Sequence, residues 1–267
     1  MPTQLEQILA HTLHEVTARR AAANTSLLQR KAADHSPRGF EAALRKAAAF
    51  GPAIIAELKK ASPSRGLIRP DFDPAALAHS LQAAGAAALS VLTNDKYFQG
   101  SLGNLSLASE AVSIPCLRKD FILDPFQILE ARAAGADAIL LIVAARTDAN
   151  LRSLRDEACN MQLDVLCEVH DRVELDRAVD LGFTVIGVNS RNLHTMQVEP
   201  QTLFDLAQGL PRDAVHVAES GIRNAAEIAH LRSAGYHAFL VGESLMRQSD
   251  PAAALSALFL PDAVPNR

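Results

Sequence analysis

Charged side chains stand where short apolar runs stop. Glu57 and Lys59 follow Ala53-Ile54-Ile55-Ala56, Lys119-Asp120 close the stretch after Ile114-Pro115-Cys116-Leu117, and Glu168 follows Val165-Leu166-Cys167. Three further runs end in Asn189-Ser190-Arg191, Glu219-Ser220-Gly221 and Gly242-Glu243-Ser244. A buried charge without a partner costs several kcal/mol, so partners must converge on each of these positions. Taken singly, Lys59 or Lys119 reads as a surface lysine and Glu168 as a cap for a helix opening near Asp171. Together, three cations (Lys59, Lys119, Arg191) face three carboxylates (Glu57, Glu168, Glu219), the makings of an acid–base site for an anionic substrate.

A second signal concerns phosphate. Small residues at Ser220-Gly221 and Gly242 allow backbone N–H groups, including that of Glu243, to approach an anion, and Ser62 adds a hydroxyl. A tight turn would use the same glycines. Other motifs fail. His14-Glu15 is followed by Ala18 where a zinc helix needs histidine, and neither G-x-G-x-x-G nor G-x-x-x-x-G-K-[ST] occurs. No metal site is expected. His11 and His14 read as a solvated helix face, and Met246 and the phenylalanines as core. His170 is expected to point away from Glu168.

The elements that must position these residues follow a rhythm. Eight apolar runs are continuous rather than alternating, as in parallel strands covered on both faces. The other five are Ala88–Leu92, Ala138–Val143, Val185–Val188, Ala214–Ala218 and Ala238–Val241. Ala/Leu-rich stretches with helical spacing lie between them, opening at Asp73-Pro74 and Asp124-Pro125 and closing at Gly85, Gly135, Gly182 and Gly235. Eight such units in about 215 residues predict an α/β fold, a (β/α)8 TIM barrel whose chemistry gathers at the strand C-termini. Lys119 and Glu168 then share one rim with one strand between them. A doubly wound sheet is the competitor. Residues 1–50 form an N-terminal helical extension, with Leu5, Ile8, Leu9, Leu13 and Val16 on one face, packed on a barrel of residues 51–267 or folded over one mouth. The expectation is one domain overall.

The chain has 267 residues, 49% hydrophobic and 21% charged, enough apolar matter for a large core. Its net charge of -4 argues against a nucleic-acid partner bound through bulk positive charge. No apolar run approaches the ~20 residues of a membrane span, and no signal-peptide core opens the chain. Cys116, Cys159 and Cys167, without a C-x-x-C pair, suit a reducing compartment. The expectation is a cytoplasmic protein, without membrane or nucleic-acid partners, acting as a monomer.

The same residues carry a resemblance. Glu57-Leu58-Lys59-Lys60-Ala61-Ser62-Pro63-Ser64-Arg65-Gly66 resembles the signature of the indole-3-glycerol phosphate synthase family. So do Ser90–Thr93 with Tyr97–Gly100, Leu117–Ile122, Glu168-Val169-His170, Gly187–Leu193, Ala218–Ile222 and Val241–Met246. The resemblance spans nearly the whole chain and implies the monofunctional form, a carboxy-lyase of tryptophan biosynthesis. Its phosphorylated substrate is 1-(2-carboxyphenylamino)-1-deoxyribulose 5-phosphate, which closes a ring and loses CO2 and water. The resemblance implies Lys119 as general acid on the ketone oxygen and Glu168 in the later proton transfers, with Glu57 and Lys59 participating. It groups Asn189 and Ser220 with these, and Phe121, Arg191 and Glu219 with the pocket that binds substrate. Ser62, Gly221, Gly242 and Glu243 would hold the phosphate. No cofactor is implied, because the aniline nitrogen stabilises the cationic intermediate. Departures from the pattern are slight: Cys116 and Cys167 replace aliphatic residues, and Asn192, where Asp is common, would weaken a hydrogen bond to Arg191. Two rivals stand beside this reading, a Schiff-base aldolase using Lys119 and a catalytically silent barrel kept for binding.

Overall fold

The central charges of the site, Glu57, Lys119, Glu168 and Glu219, belong to strands, while Lys59 follows directly on one. In the computed structural model, which describes residues 3–193 and 195–259, eight parallel strands close into a barrel: β1 (Ala53–Leu58), β2 (Ala88–Leu92), β3 (Cys116–Lys119), β4 (Ala138–Ile142), β5 (Asp164–Val169), β6 (Val185–Asn189), β7 (Val215–Glu219) and β8 (Ala238–Val241). β1 pairs with both β2 and β8, so the sheet has no edge and the doubly wound alternative is excluded. The fold is a (β/α)8 barrel. Glu57, Lys119, Glu168, Asn189 and Glu219 are last or near-last strand residues, fixed by the ladder.

The strand bounds differ from the apolar runs for a physical reason. The third run begins at Ile114, but β3 begins at Cys116, because Pro115 has no N–H to give to the ladder. The Pro115 carbonyl still accepts from the Leu89 N–H at 2.9 Å. At the other end, strands continue through charged residues because only alternate side chains face the lumen. Ile55, Leu117, Leu166, Val217 and Leu240 fill the barrel interior, while Ile54, Cys116, Cys167, Ala218 and Phe239 pack outward against the helices.

Helix ends follow the expected chemistry. Asp73 caps Pro74–Ala83, and Asp124 caps Pro125–Ala133 in a capping box with Gln127. Asp171 itself caps Arg172–Asp180, which leaves Glu168 no capping task. Gly85, Gly135, Gly182 and Gly235 all adopt the left-handed conformation after their helices.

The N-terminal segment divides between the two barrel ends. Helix α1 (Gln4–Ala22) starts at the C-terminal mouth, where Gln4, Leu5 and Ile8 line the central cavity, and runs down the outside to the Arg19–Glu130 ion pair at 2.8 Å. It buries Ile8, Thr12 and Val16, while Leu13 is 47% exposed. The expected five-residue face is therefore narrower: an i, i+4, i+8 row is covered, and Leu13 lies about 100° around the helix from Thr12. Helix α2 (Thr25–Asp34) packs against Pro125–Ala133, with the Arg132 guanidinium donating to the Ala32 and His35 carbonyls. Helix α3 (Phe40–Ala48) closes the opposite end, driving Phe40 and Leu44 into the apolar cluster that holds Ala53, Ala88, Val185 and Val215.

Candidate active site

A cavity of about 1070 Å³ opens at the C-terminal end of the barrel. Its floor is Leu140, Ile142 and Leu240, and its walls carry Glu57, Lys59, Lys119, Glu168, Asn189 and Glu219. Strand register brings these together: Glu57 lies opposite Ser90, Lys119 opposite Leu92, Glu168 opposite Ile142 and Gly187, and Glu219 opposite Asn189 and Leu240. Lys119 and Glu168 reach one another across β4, as the barrel geometry requires.

The Lys119 ammonium is shared. Nζ donates to Glu168 Oε2 at 2.6 Å and to Glu219 Oε2 at 2.7 Å. Burial works against the ammonium, but Glu168, Glu219 and Glu57 outweigh it and hold Lys119 charged well above the ordinary lysine range. The two carboxyls diverge. Burial raises both, yet at Glu168 the Lys119 charge and His170 prevail, holding it well below the usual range. Glu219 has only Lys119 to oppose burial and the Glu168 charge, and is shifted upward. One ammonium therefore touches a carboxylate kept ionised and a carboxyl poised to hold a proton, a division of acid and base by environment.

A second pair stands beside the first. Lys59 Nζ lies 2.5 Å from Glu57 Oε1, and Ser90 Oγ donates to Glu57 Oε2 at 3.4 Å. Missing side chains shape both carboxylates. A Cβ on Gly187 would lie 2.1 Å from Glu219 Oε1, and one on Gly242 would lie 2.5 Å from Glu57 Oε1. Glu219 Oε1 is buried with no hydrogen-bond partner, an acceptor directed at the space Gly187 leaves.

Arg191 corrects the expected three-against-three pairing. Its guanidinium donates to the Met196 carbonyl at 2.9 Å, within its own loop, so two lysines hold three carboxylates. Arg191 and Phe121 still line the cavity. Asn189 Oδ1 accepts from the Ser220 hydroxyl at 2.7 Å and from the Arg191 N–H at 3.0 Å, tying β6 to the loop after β7. The Asn192 amide donates to Glu199 at 3.2 Å, so its role is within the loop after β6.

At the anion corner, Ser220 and Gly221 both take positive φ, 68° and 77°. That is a costly conformation for serine, and it turns the backbone toward the cavity. Gly242 precedes the short helix Glu243–Met246 with no side-chain cap, and Ser62 lies across the mouth in the loop after β1. That loop folds into a hairpin pairing Ala61–Ser62 with Gly66–Leu67, and its Arg65 reaches Glu243 at 3.0 Å. Arg65, Arg223 and Arg247 place positive charge on this rim, a contribution that strand-end reading missed because all three lie in loops or on helices.

His170 corrects a second expectation. Positions 168 and 170 differ by two, and a period of two returns a side chain to the same face. β5 ends at Val169, and the His170 ring turns back so that Nε2 lies 3.3 Å from Glu168 Oε1. Among the described residues, no group of three or more His, Cys, Asp or Glu is arranged to hold a metal ion. No helix among them is long and apolar enough to cross a membrane.

Comparison with known proteins identifies the family. The indole-3-glycerol phosphate synthase family profile matches residues 5–258. The chain is 60% identical, over 97% of its length and 99% of the relative, to the indole-3-glycerol phosphate synthase of Koribacter versatilis (strain Ellin345). It is 50% identical to that of Acidithiobacillus ferrooxidans (strain ATCC 53993 / BNL-5-31), over 96% and 98% of the two chains. A solved 3-hexulose-6-phosphate synthase shares the barrel at a TM-score of 0.61 with 15% identity, covering 77% of this chain and 97% of that one, which speaks to fold alone. With a matching profile, relatives alike from end to end and a mouth that assembles the acid–base pairs, the chain belongs to the indole-3-glycerol phosphate synthase family.

Proposed function

We propose that this chain converts 1-(2-carboxyphenylamino)-1-deoxyribulose 5-phosphate to indole-3-glycerol phosphate, with loss of CO2 and water, in tryptophan biosynthesis. The observation that carries the reading is the Lys119 ammonium held between Glu168 and Glu219 at the centre of the mouth. The aromatic carbon bearing the carboxylate attacks the ketone carbon, and Lys119 gives a proton to the ketone oxygen as charge develops there. The carboxylate leaves as CO2, and its bonding electrons restore the aromatic ring. The new hydroxyl leaves as water after a second proton transfer, and a base removes a proton from the five-membered ring. Glu168, kept ionised, suits the base; Glu219 and the Lys59–Glu57 pair suit the proton supply. The aniline nitrogen carries the intermediate cation, so the scheme calls for no cofactor.

Ser62, the turn at Ser220-Gly221, and Gly242-Glu243 hold the phosphate in this reading, while Asn189, Arg191 and Phe121 shape the pocket around the aromatic end. Residues 1–50 act as an extension packed on the barrel of residues 51–267, and the enzyme works as a cytoplasmic monomer. The test is the appearance of indole fluorescence when purified protein meets the ribulose phosphate substrate without added metal. Absence of product overturns the reading, and a borohydride-trapped adduct on Lys119 would favour the aldolase instead. Inorganic phosphate should inhibit competitively; unchanged kinetics in high phosphate would remove the anion corner from the site.

A further inference from the structure

His170 carries a largely covered ring, 10% exposed, that the scheme above leaves without a task. Its Nδ1 lies 3.0 Å from Glu174 Oε2, and the same oxygen accepts the His170 backbone N–H at 2.9 Å. Its Nε2 lies 3.3 Å from Glu168 Oε1, close enough for charge attraction but without the alignment of a hydrogen bond. Both ring nitrogens therefore face carboxylate oxygens, which suits the ring only when both carry hydrogen. The local chain produces this arrangement: β5 stops at Val169, Asp171 caps the next helix, and Glu174 lies one helical turn beyond His170.

We propose that His170 is a positioning residue of the reaction, holding Glu168 in place and balancing its charge while Lys119 serves the substrate. The inference rests on the function proposed above. Lys119 and His170 take different oxygens of Glu168, Oε2 and Oε1. In the resting site Lys119 already balances Glu168. During ring closure Lys119 must turn toward the ketone oxygen, and once its proton is gone it is neutral. Glu168 is 3% exposed, and a carboxylate left without a cation there would cost several kcal/mol or take up a proton, which ends its use as a base. His170 is the cation that remains.

The groups facing His170 favour that role. Glu168 faces it from β5 and Glu174 from the following helix; Lys119 of β3 lies beyond Glu168, and Glu219 of β7 beyond Lys119. Burial opposes the charged ring, but the two carboxylates outweigh it and push His170 up to about 10, so the imidazolium persists through neutral pH.

The test uses His170→Asn and His170→Gln in the full chain, following kcat, KM, the pH profile and Tm with the ribulose phosphate substrate. The expected kcat loss is about tenfold with KM within about threefold, the pattern of a group acting after binding. The acid limb of the kcat profile should move up by about one pH unit, because Glu168 has lost a nearby cation. With Glu168→Gln already in place, adding His170→Asn should change kcat by less than about twofold, since no charge remains to balance. If His170→Asn fails to fold, Glu174→Gln leaves the ring in place and still protonated at acid pH, removes a competing negative charge, and should move the same limb downward by a smaller step. Normal kcat with an unmoved acid limb overturns the proposal, as does a His170 effect that persists in full on Glu168→Gln or that appears only in Tm. Failure of the underlying function looks different: the unsubstituted protein itself would give no product.

Discussion

The two ends of the barrel both bury carboxylates, and they treat them differently. At the closed end Asp137, just before β4, is fully buried and fully served. Arg38 donates to both oxygens, at 2.9 Å and 2.5 Å from Nε and Nη2 to Oδ2 and at 2.7 Å from its backbone to Oδ1. The Cys116 N–H adds a bond at 2.6 Å, and His35 approaches to 3.2 Å. At the open end three carboxylates share two lysines, and Glu219 keeps an oxygen with no partner. A satisfied network holds one arrangement and gives stability; an under-supplied one leaves groups ready to exchange protons and partners. The apolar plug of Phe40 and Leu44 marks the first end as structural, and the cavity marks the second as chemical.

The largest effect that separates the ends should be on stability at the closed one. Asp137→Ala leaves Arg38 without its carboxylate and should cost about 3–5 kcal/mol, as breaking a buried pair does, while kcat per folded molecule stays unchanged. The pH sign follows from the Asp137 shift. Burial pushes its carboxyl up, but His35, Arg38 and the Cys116 N–H prevail and hold it below the ordinary value. Its stabilisation is therefore complete above the unfolded carboxyl value of about 4 and is lost as pH falls through the lower folded value. Asp137→Asn should flatten that part of the acid unfolding curve. A loss of kcat as large as the loss of stability would mean the ends are not separable.

At the open end the effect should fall on rate. Lys119→Met is expected to lower kcat at least ~100-fold, the usual contribution of a positioned acid. Lys119→Arg should not restore it, since guanidinium gives up a proton far less readily and presents a planar fork. If arginine recovers most of the activity and methionine acts mainly through KM, Lys119 binds the substrate carboxylate and is no acid. A smaller loss, about tenfold in kcat, is expected for Gly187→Ala, because the added methyl group must displace Glu219 Oε1. Unaltered kcat in Gly187→Ala would show that Glu219 moves aside without consequence.

The comparison also explains what could be read from the sequence. The open end was legible because its charges break apolar runs at a fixed place in each βα unit, and the barrel brings those places to one rim. Glu57, Lys119, Glu168 and Glu219 carry that signal. The closed end left no such trace: Arg38 and Asp137 are 99 residues apart, and nothing in their neighbourhoods marks them as partners. Pro115 hid the true start of β3, since its apolar neighbours extend the run where its missing N–H cannot extend the ladder. His170 was legible in principle, because its two-residue spacing from Glu168 already fixes the shared face. The rim arginines were not, because a loop's path is set by what it packs on. Arg65 reaches Glu243 only through a hairpin that turns within four residues.

The smallest expected effect tests whether the N-terminal segment belongs to one end or to both. Helix α1 approaches the open end, through Gln4, Leu5 and Ile8, and is held lower down by Arg19 on Glu130. Arg19 is 39% exposed at its side chain, so that pair should be worth no more than about 1 kcal/mol. Glu130 also keeps Arg118 at 3.5 Å when Arg19 is gone. Removal of residues 1–22 should therefore lower Tm by only a few degrees and raise KM about three- to fivefold, with kcat within about twofold. Removal of residues 1–48 takes away Arg38, Phe40 and Leu44 as well, opens the closed end, and should yield no folded barrel. A normal KM after the shorter deletion would show α1 to be a structural strap alone. A collapse of kcat there would point to the chain Arg19–Glu130–Arg118–Asp120, which ends beside Lys119 on β3 and would then be what keeps that ammonium in register.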